Sequence, residues 1–473
     1  MKDNSNSRPA RSIRIGLLGL LLPLTLSSTA QTPIRWSQQT PTVASAPVSP
    51  APTSPAPTSQ YRSPAQPQAY RTSLATQRVM PLAQGFDVAA FENMANALTV
   101  GERVPGLAMA IVQNGRVLSA RGYGVTDVSA PQLVDGHTVF RLASLSKAFA
   151  GTMTGLLVND GSLRWDSKVT DYVPDFQLSD PLATQRVTVA DLLSHRVGLQ
   201  SHNAFDRDIE SNADYYGVSR KLAYAPLECA PGQCYAYQNV AFSLIGDVVF
   251  AATGSFYDQA VDRRIFKPLG MNDASIGLTG IESSSRWARP HVRSRNGWVS
   301  MMPKPTYYKL PPAAGVNASA SDMAQWLIAQ TGHRPDVLPA PLLATLHAPL
   351  ISTPGEMRAG WRRERVYSAS YALGWRVFDY AGHQVVFHAG AVQGYRGLVA
   401  LVPERDFGIA ILWNSDSSVP SGLLPTILDR AMGLPAQQWL DTPIGSDLLM
   451  AESSDTPANE SGSSSSKASA SPK

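Results

Sequence analysis

Strand-like apolar runs stand at the two ends of the patterned part of the chain, with helix-like spacing between them. Gly106–Val112 and Arg116–Tyr123 are β-rich runs around Asn114-Gly115, a dipeptide that accepts the left-handed backbone of a tight hairpin. Towards the other end, Leu373–Tyr380, Gln384–His388, Gly397–Val402 and Phe407–Trp413 read as four further strands. Their connections are short, which requires antiparallel pairing. Thr188–Ser194, Val240–Ala252 and Ser321–Gln330 carry helical patterns. Ser321 can cap the last of these, and Asp322 suits its first turn. The pattern predicts an α/β domain: a mostly antiparallel sheet shared by the first and last segments, flanked by helices, with an inserted all-helical region over about 166–349.

Outside residues 86–440 the pattern fails. Arg8, Arg11 and Arg14 precede an apolar run, Ile15 to Leu26, and Ser28-Thr29-Ala30 supplies small residues for cleavage, so residues 1–30 are expected to be a secretory signal. As a helix that run would rise about 18 Å, short of a ~30 Å hydrocarbon core. Residues 31–85 nearly repeat Ser49-Pro50-Ala51-Pro52-Thr53-Ser54, which favours extended polyproline and predicts a disordered linker. Residues 441–473, Ser-rich from Ser453 onward, are expected to be a disordered tail. No other stretch is long and apolar enough to span a bilayer. The mature chain is therefore expected to be periplasmic or secreted, monomeric and without a stable membrane span.

Charge removes one class of partner. The formal charge is +4, but residues 1–30 hold four basic side chains against one acidic, leaving about +1 after cleavage. That is no electrostatic footprint for a phosphate backbone, so nucleic acid is excluded. Cys229 and Cys234 flank Ala230-Pro231-Gly232-Gln233. A Pro-Gly turn can bring them together, and export permits a disulfide that contributes roughly 2 kcal/mol in the entropic model. Two unpaired thiols are the alternative. No histidine pair accompanies them, so no zinc site, and no other cofactor, is expected. His383 and His388, five apart on one strand, face opposite sides and cannot share a metal.

Lysine is scarce, nine against 31 arginines, and Lys147 is the only one between Lys2 and Lys168. It lies in Ser144-Leu145-Ser146-Lys147, on an amphipathic pattern (Leu145, Phe149, Met153, Leu156, Leu157) that Asn159-Asp160-Gly161 can end. At i, i+3 the Ser144 hydroxyl and the Lys147 amine share a helix face, with the serine near the positive end of the helix dipole. A serine becomes a nucleophile only when a base takes its proton, and a lysine is a base only where burial or a neighbouring cation makes it neutral. By itself the motif is weak: Ser464 to Lys467 repeats it by chance near the C-terminus.

Two further motifs add specificity. Tyr237-Gln238-Asn239 is the only Tyr-x-Asn in the chain, and His388-Ala389-Gly390 the only His-x-Gly. Their order resembles that of the penicillin-recognising serine hydrolases, in particular the branch of class C β-lactamases, DD-carboxypeptidases and related esterases. Thr188 to His195, Pro231-Gly232, Pro268-Leu269-Gly270-Met271 and Gly408 to Asn414 extend the likeness over most of 95–435. The resemblance implies a β-lactamase/transpeptidase-like fold and an acyl-enzyme. Ser144 would attack, and Lys147 and Tyr237 would share the proton transfers. Asn239 would hydrogen-bond the substrate's amide and help fix Lys147. The backbone N–H groups of Ser144 and Ala391 would form the oxyanion hole, and Gly390 would let substrate lie along the strand. His388 would stand where the β-lactamases place a lysine.

Ala389 and His388 depart from the Lys-Thr-Gly of those β-lactamases, which removes a permanent cation and a hydroxyl donor to a substrate carboxylate. Ser201-His202-Asn203 mimics the Ser-x-Asn of other branches, in a loop. The expectation is an exported serine hydrolase acting on β-lactams or D-alanyl peptides. A carboxylesterase for small esters is one alternative, and a non-catalytic peptidoglycan-binding protein is another. Loops Arg196–Tyr216 and Trp287–Leu310 are expected to set specificity.

Overall fold

The computed structural model describes residues 79–358 and 360–440. The expected signal, most of the linker and the tail lie outside these residues. Within the expected linker, residues 79–85 are held on the domain: Met80 and Ala83 donate backbone hydrogen bonds to Glu404 and Ala431 (2.8 and 3.0 Å). The folded part therefore begins earlier than residue 86.

The helices used below are α1 (Val88–Val100), α2 (Ser146–Asn159), α3 (Val189–Leu193), α4 (Asp206–Glu210), α5 (Val240–Thr253), α6 (Ala320–Ile328) and α7 (Leu423–Met432). The strands are β1 (Gly106–Gln113), β2 (Arg116–Gly124), β3 (Phe140–Arg141), β4 (Ser275–Ile276), β5 (Val316–Ala318), β6 (Ile351–Ser352), β7 (Val366–Tyr371), β8 (Arg376–Tyr380), β9 (His383–Val392), β10 (Tyr395–Val402) and β11 (Phe407–Trp413). The main sheet has eight strands in the order β2-β1-β11-β10-β9-β8-β7-β6, every neighbouring pair antiparallel. β1 pairs with β11 from Leu107 opposite Trp413 to Gln113 opposite Phe407, so the first and last segments share this sheet as expected. Asn114 and Gly115 take φ of 48° and 68°, the left-handed pair that closes β1 onto β2.

Both faces of the central strands are covered. Leu107, Met109 and Ile111 pack with α1 and α7, while Ala108, Ala110 and Val112 pack on the other face with α2 and α6. A strand buried on both sides reads as an unbroken apolar run, which is why β1 and β11 were legible without clean alternation.

Four local expectations are corrected. The inserted region is not all helical: β5 pairs with β3 and β4 in a second sheet, which fastens the insert to the segment just before Ser144. α2 is not amphipathic, because all of Ser146–Gly155 is buried; it is a central helix, wrapped on every side. α6 is capped by Ser319 rather than Ser321. Ser319 accepts from the Asp322 N–H while the Asp322 carboxylate accepts from the Ser319 N–H, a reciprocal cap two residues earlier than expected. Finally, the strand expected at Leu373 starts at Arg376. Gly374 turns there with φ 81°, and an added Cβ would lie 2.2 Å from the Lys147 carbonyl oxygen, so this turn packs directly on α2.

Candidate active site

Ser144 sits on a single 3₁₀ turn, Ala143–Leu145, immediately before α2. Ala143 has φ 49°, a conformation that disfavours a side chain and must be held by its surroundings. Ser146 provides part of the hold. Its hydroxyl donates to the Ala143 carbonyl (2.7 Å) and accepts from the Val316 N–H on β5 (2.9 Å), while Leu142 N–H donates to the Val316 carbonyl (2.9 Å).

Lys147, one turn on, is fully buried. Its Nζ lies 2.6 Å from Asn239 Oδ1, 3.2 Å from the Ala313 carbonyl oxygen and 3.4 Å from Ser144 Oγ. As an ammonium, Nζ can donate to all three; only after losing a proton could its lone pair turn to the serine hydroxyl. At 3.4 Å the Ser144 contact is the longest of the three. The Tyr237 ring is the other wall, its centroid 4.6 Å from Lys147 Nζ and 5.3 Å from Arg376 Cζ. Ser144, Lys147, Tyr237 and Asn239, spread over almost a hundred positions, thus form one cluster.

Asn239 departs from its expected role. Its Nδ2 donates to Asp206 Oδ2 (2.7 Å) and to Asn203 Oδ1 (3.2 Å). An amide nitrogen has two hydrogens, and both are committed inward, so no donor is left for a substrate carbonyl. Asn239 fixes Lys147; it does not read the substrate's amide. Ser201-His202-Asn203, the rival motif, is a support rather than a second site. Tyr237 N–H donates to His202 Nδ1 (3.0 Å), Gln238 Nε2 to the Ser201 carbonyl (2.6 Å), and Asn203 N–H to the Tyr237 carbonyl (2.7 Å). The disulfide Cys229–Cys234 is present and closes the loop that leads into this segment.

His388 is also displaced from its expected role, because its ring is fully buried and does not face substrate. Nδ1 lies 2.7 Å from the Ala389 carbonyl oxygen and so carries the proton. Nε2 then accepts from the Tyr371 hydroxyl (3.0 Å) and from Arg376 Nη1 (3.3 Å). Tyr371 Oη in turn accepts from His195 Nε2 (3.2 Å), whose Nδ1 is held as an acceptor by the Gln238 N–H (3.1 Å). Backbone groups at both ends set every direction in this chain, which ties the Tyr-x-Asn segment to the His-x-Gly strand. Burial first, then the cations of Lys147 and Arg376, hold both imidazoles well below their ordinary value, so both are neutral.

Gly390 is needed for a different neighbour than expected. An added Cβ would lie 2.3 Å from the Leu142 carbonyl oxygen and 3.1 Å from Ser144 N, so the turn that carries Ser144 fills its space. Ala391 follows on β9. β8 pairs with β9 only as far as Phe387, whereas β10 continues beside it to Val392. The segment from His388 to Val392 therefore has a strand on one side only, next to Ser144; His388–Gly390 are buried there, and Ala391 and Val392 are half-buried.

Three residues at the site escaped sequence reasoning. Arg376 and Arg362 bind Glu356, whose carboxyl burial would raise but the two guanidiniums hold below its ordinary value. Arg376 was visible only as a charge inside an apolar strand. Tyr371 ends β7, a strand too mixed in polarity to stand out. Asp206 opens the short helix α4 inside the Arg196–Tyr216 segment, which the sequence marked only as a specificity loop.

A sequence model of the Beta-lactamase family matches residues 91–433. The unguisins hydrolase of Aspergillus campestris is 27% identical over 352 residues, covering 72% of this chain and 64% of its own. Protein flp of Staphylococcus aureus is 28% identical over 316 residues, covering 66% and 60%. The chain thus spans less than two thirds of the length of these relatives. Among solved structures, the octameric penicillin-binding protein homologue of Pyrococcus abyssi superposes with a TM-score of 0.66 at 23% identity, over 75% of this chain and 79% of that one. The D-amino acid amidase of Ochrobactrum anthropi does so with a TM-score of 0.58 at 21% identity, over 72% and 97%. These superpositions establish the fold, a β-lactamase-type sheet flanked by helices.

Proposed function

The chain belongs to the Beta-lactamase family, and from that premise we propose that it is an exported serine hydrolase working through an acyl-enzyme on Ser144. The observation that carries this reading is the buried Lys147 amine, committed to Asn239 and Ala313 and aimed at the Ser144 hydroxyl. Ser144 Oγ attacks the substrate carbonyl as its proton passes to Lys147, and the leaving group departs with a proton returned through Lys147 and Tyr237. Water then hydrolyses the acyl ester by the same route. The developing oxyanion lies between the N–H groups of Ser144 and Ala391.

The substrate is a D-alanyl-type peptide or amide, laid along the open side of β9. Amide chemistry at a D-configured residue is what the similar fold of the Ochrobactrum D-amino acid amidase supports. β-Lactams are turned over slowly, since His388 and Arg376 are buried and Asn239 has no free donor. The same lack of an amide donor favours a second reading, a carboxylesterase, because a simple ester has no amide side chain to be read.

Incubation with a fluorescent fluorophosphonate, followed by intact mass and peptide mapping, tests the chemistry. The adduct is expected on Ser144 and is lost in Ser144→Ala. Labelling elsewhere, or none, overturns the reading. Turnover of nitrocefin, a D-Ala-D-Ala peptide and p-nitrophenyl esters then ranks the substrates.

A further inference from the structure

Behind Asn239, on the side away from Ser144, lies a carboxylate that none of the three motifs contains. We propose that the ionised carboxylate of Asp206 is a positioning group for Lys147: it decides which way round the Asn239 amide sits, and so presents to the amine an acceptor oxygen instead of a second donor. This rests on the acyl-enzyme reading and adds to it a residue outside the motifs.

The geometry carries the argument. An ionised carboxylate only accepts, so the atom of Asn239 that lies 2.7 Å from Asp206 Oδ2 must be the nitrogen. Asn203 Oδ1, 3.2 Å from the same nitrogen, accepts its second hydrogen; an amide can turn either end, so the Asp206 carboxylate alone fixes the orientation. The amide oxygen is then left for Lys147, 2.6 Å away. Reversed, the amide would set two N–H groups against the amine, and Lys147 would swing towards Ala313 or lose its aim on Ser144. Asn203 and Phe205 have φ of 50° and 66°, two left-handed residues in three, and this costly path is what carries Asp206 inward at the start of α4. Asp206 is 4% exposed, an expensive place for a carboxylate without a functional or ionic reason.

The groups that face Asp206 are few. Lys147 faces it from α2 through Asn239, Glu210 lies one turn along α4, and the Tyr307 hydroxyl reaches both carboxylates, 3.1 Å from Asp206 and 2.9 Å from Glu210. Burial, with the charge of Glu210, outweighs the hydrogen bonds of Asn239 and Tyr307 and the cation of Lys147, and pushes Asp206 up to about 6. The positioning form therefore exists above pH 6 and is lost below it, as the acid gains a proton and ceases to be a pure acceptor.

Asp206→Asn is close to isosteric and removes the charge; Asp206→Leu removes every acceptor. Both are assayed in the full chain by the rate of fluorophosphonate labelling at Ser144, as a function of pH, beside melting temperature at pH 8. The expected result is a labelling rate lowered about tenfold or more in both variants, with the wild-type acid limb near pH 6 absent from Asp206→Asn. The melting temperature of Asp206→Asn at pH 8 should hold or rise, because an ionised buried acid has been removed. A folded Asp206→Asn protein that labels within twofold of wild type and keeps the same acid limb overturns the proposal. If wild type itself is not labelled at Ser144, it is the acyl-enzyme reading that fails.

Discussion

Gly390 and the Leu142 carbonyl oxygen are so close that a methyl group on the glycine would stand 2.3 Å from that oxygen. Strand β9 and the turn that carries Ser144 are thus in contact through a missing side chain. Real carbon–oxygen contacts require over 3 Å, so Gly390→Ala must move the turn, the strand or both. Labelling of Ser144 in Gly390→Ala should fall about a hundredfold, the scale of losing an oxyanion donor. A variant that labels as fast as wild type would show that the contact does not set the geometry of the nucleophile.

Tyr371 joins two neutral histidines that belong to different motifs. Tyr371→Phe removes the hydroxyl that accepts from His195 and donates to His388, leaving the His195 Nε2–H buried without that acceptor. Urea denaturation should show a loss of about 1–3 kcal/mol, with a slower labelling rate at Ser144. Unchanged stability would mean that the two histidines find other partners at no cost.

His347 offers a cleaner titration, since it is far from the motifs in sequence, packs edge-on to Trp375 and hydrogen-bonds Gln330 Oε1 at 3.0 Å. Burial lowers it from 6.5 to about 3. The unfolded chain then binds a proton that the folded chain refuses, so this residue's contribution to stability is intact above pH 6.5 and is lost as pH falls towards the folded value. Between pH 8 and pH 5 the effect is about 2 kcal/mol. The difference in unfolding free energy between wild type and His347→Gln should shift by that amount in favour of the variant over the same range. A pH-independent difference would contradict the burial of a neutral ring.

The disulfide should matter more to rate than to stability. The loop it closes is also held by backbone bonds, Gly232 N–H to the Arg196 carbonyl (2.7 Å) and Glu228 N–H to the Gly198 carbonyl (2.9 Å). A bond across so short a loop contributes roughly 2 kcal/mol. Cys234, however, is three residues from Tyr237. The paired Cys229→Ser, Cys234→Ser variant is expected to lose a larger fraction of its labelling rate than its small drop in melting temperature would explain. Proportionate loss of both would assign the bridge a structural role only.

The strands from Gly106 to Tyr123 and from Gln384 to Trp413 were legible because apolar content and turn residues are local properties of the chain. The three motifs were legible because their residue types, order and uniqueness are local as well. β7, β4 and β5 were not: these segments are mixed in polarity, and they are strands only because β8 pairs with β7, β3 with β5 and β5 with β4. The capping of α6 slipped from Ser319 to Ser321 for a related reason, as both serines precede the helix and only backbone geometry selects one.

The sequence by itself determined which residues could do the chemistry: Ser144 with Lys147 one turn away, a single Tyr-x-Asn, and a single His-x-Gly. Only the tertiary structure decided what each of them touches. Asn239 kept its expected hold on Lys147 but has no donor left for a substrate amide, and His388, expected to face substrate, is a buried acceptor. The reason is that hydrogen-bonding capacity is finite and directional. Asp206, Asn203, Tyr371 and Arg376 arrive from distant parts of the chain and occupy it, and no pattern of neighbours along the sequence records their arrival.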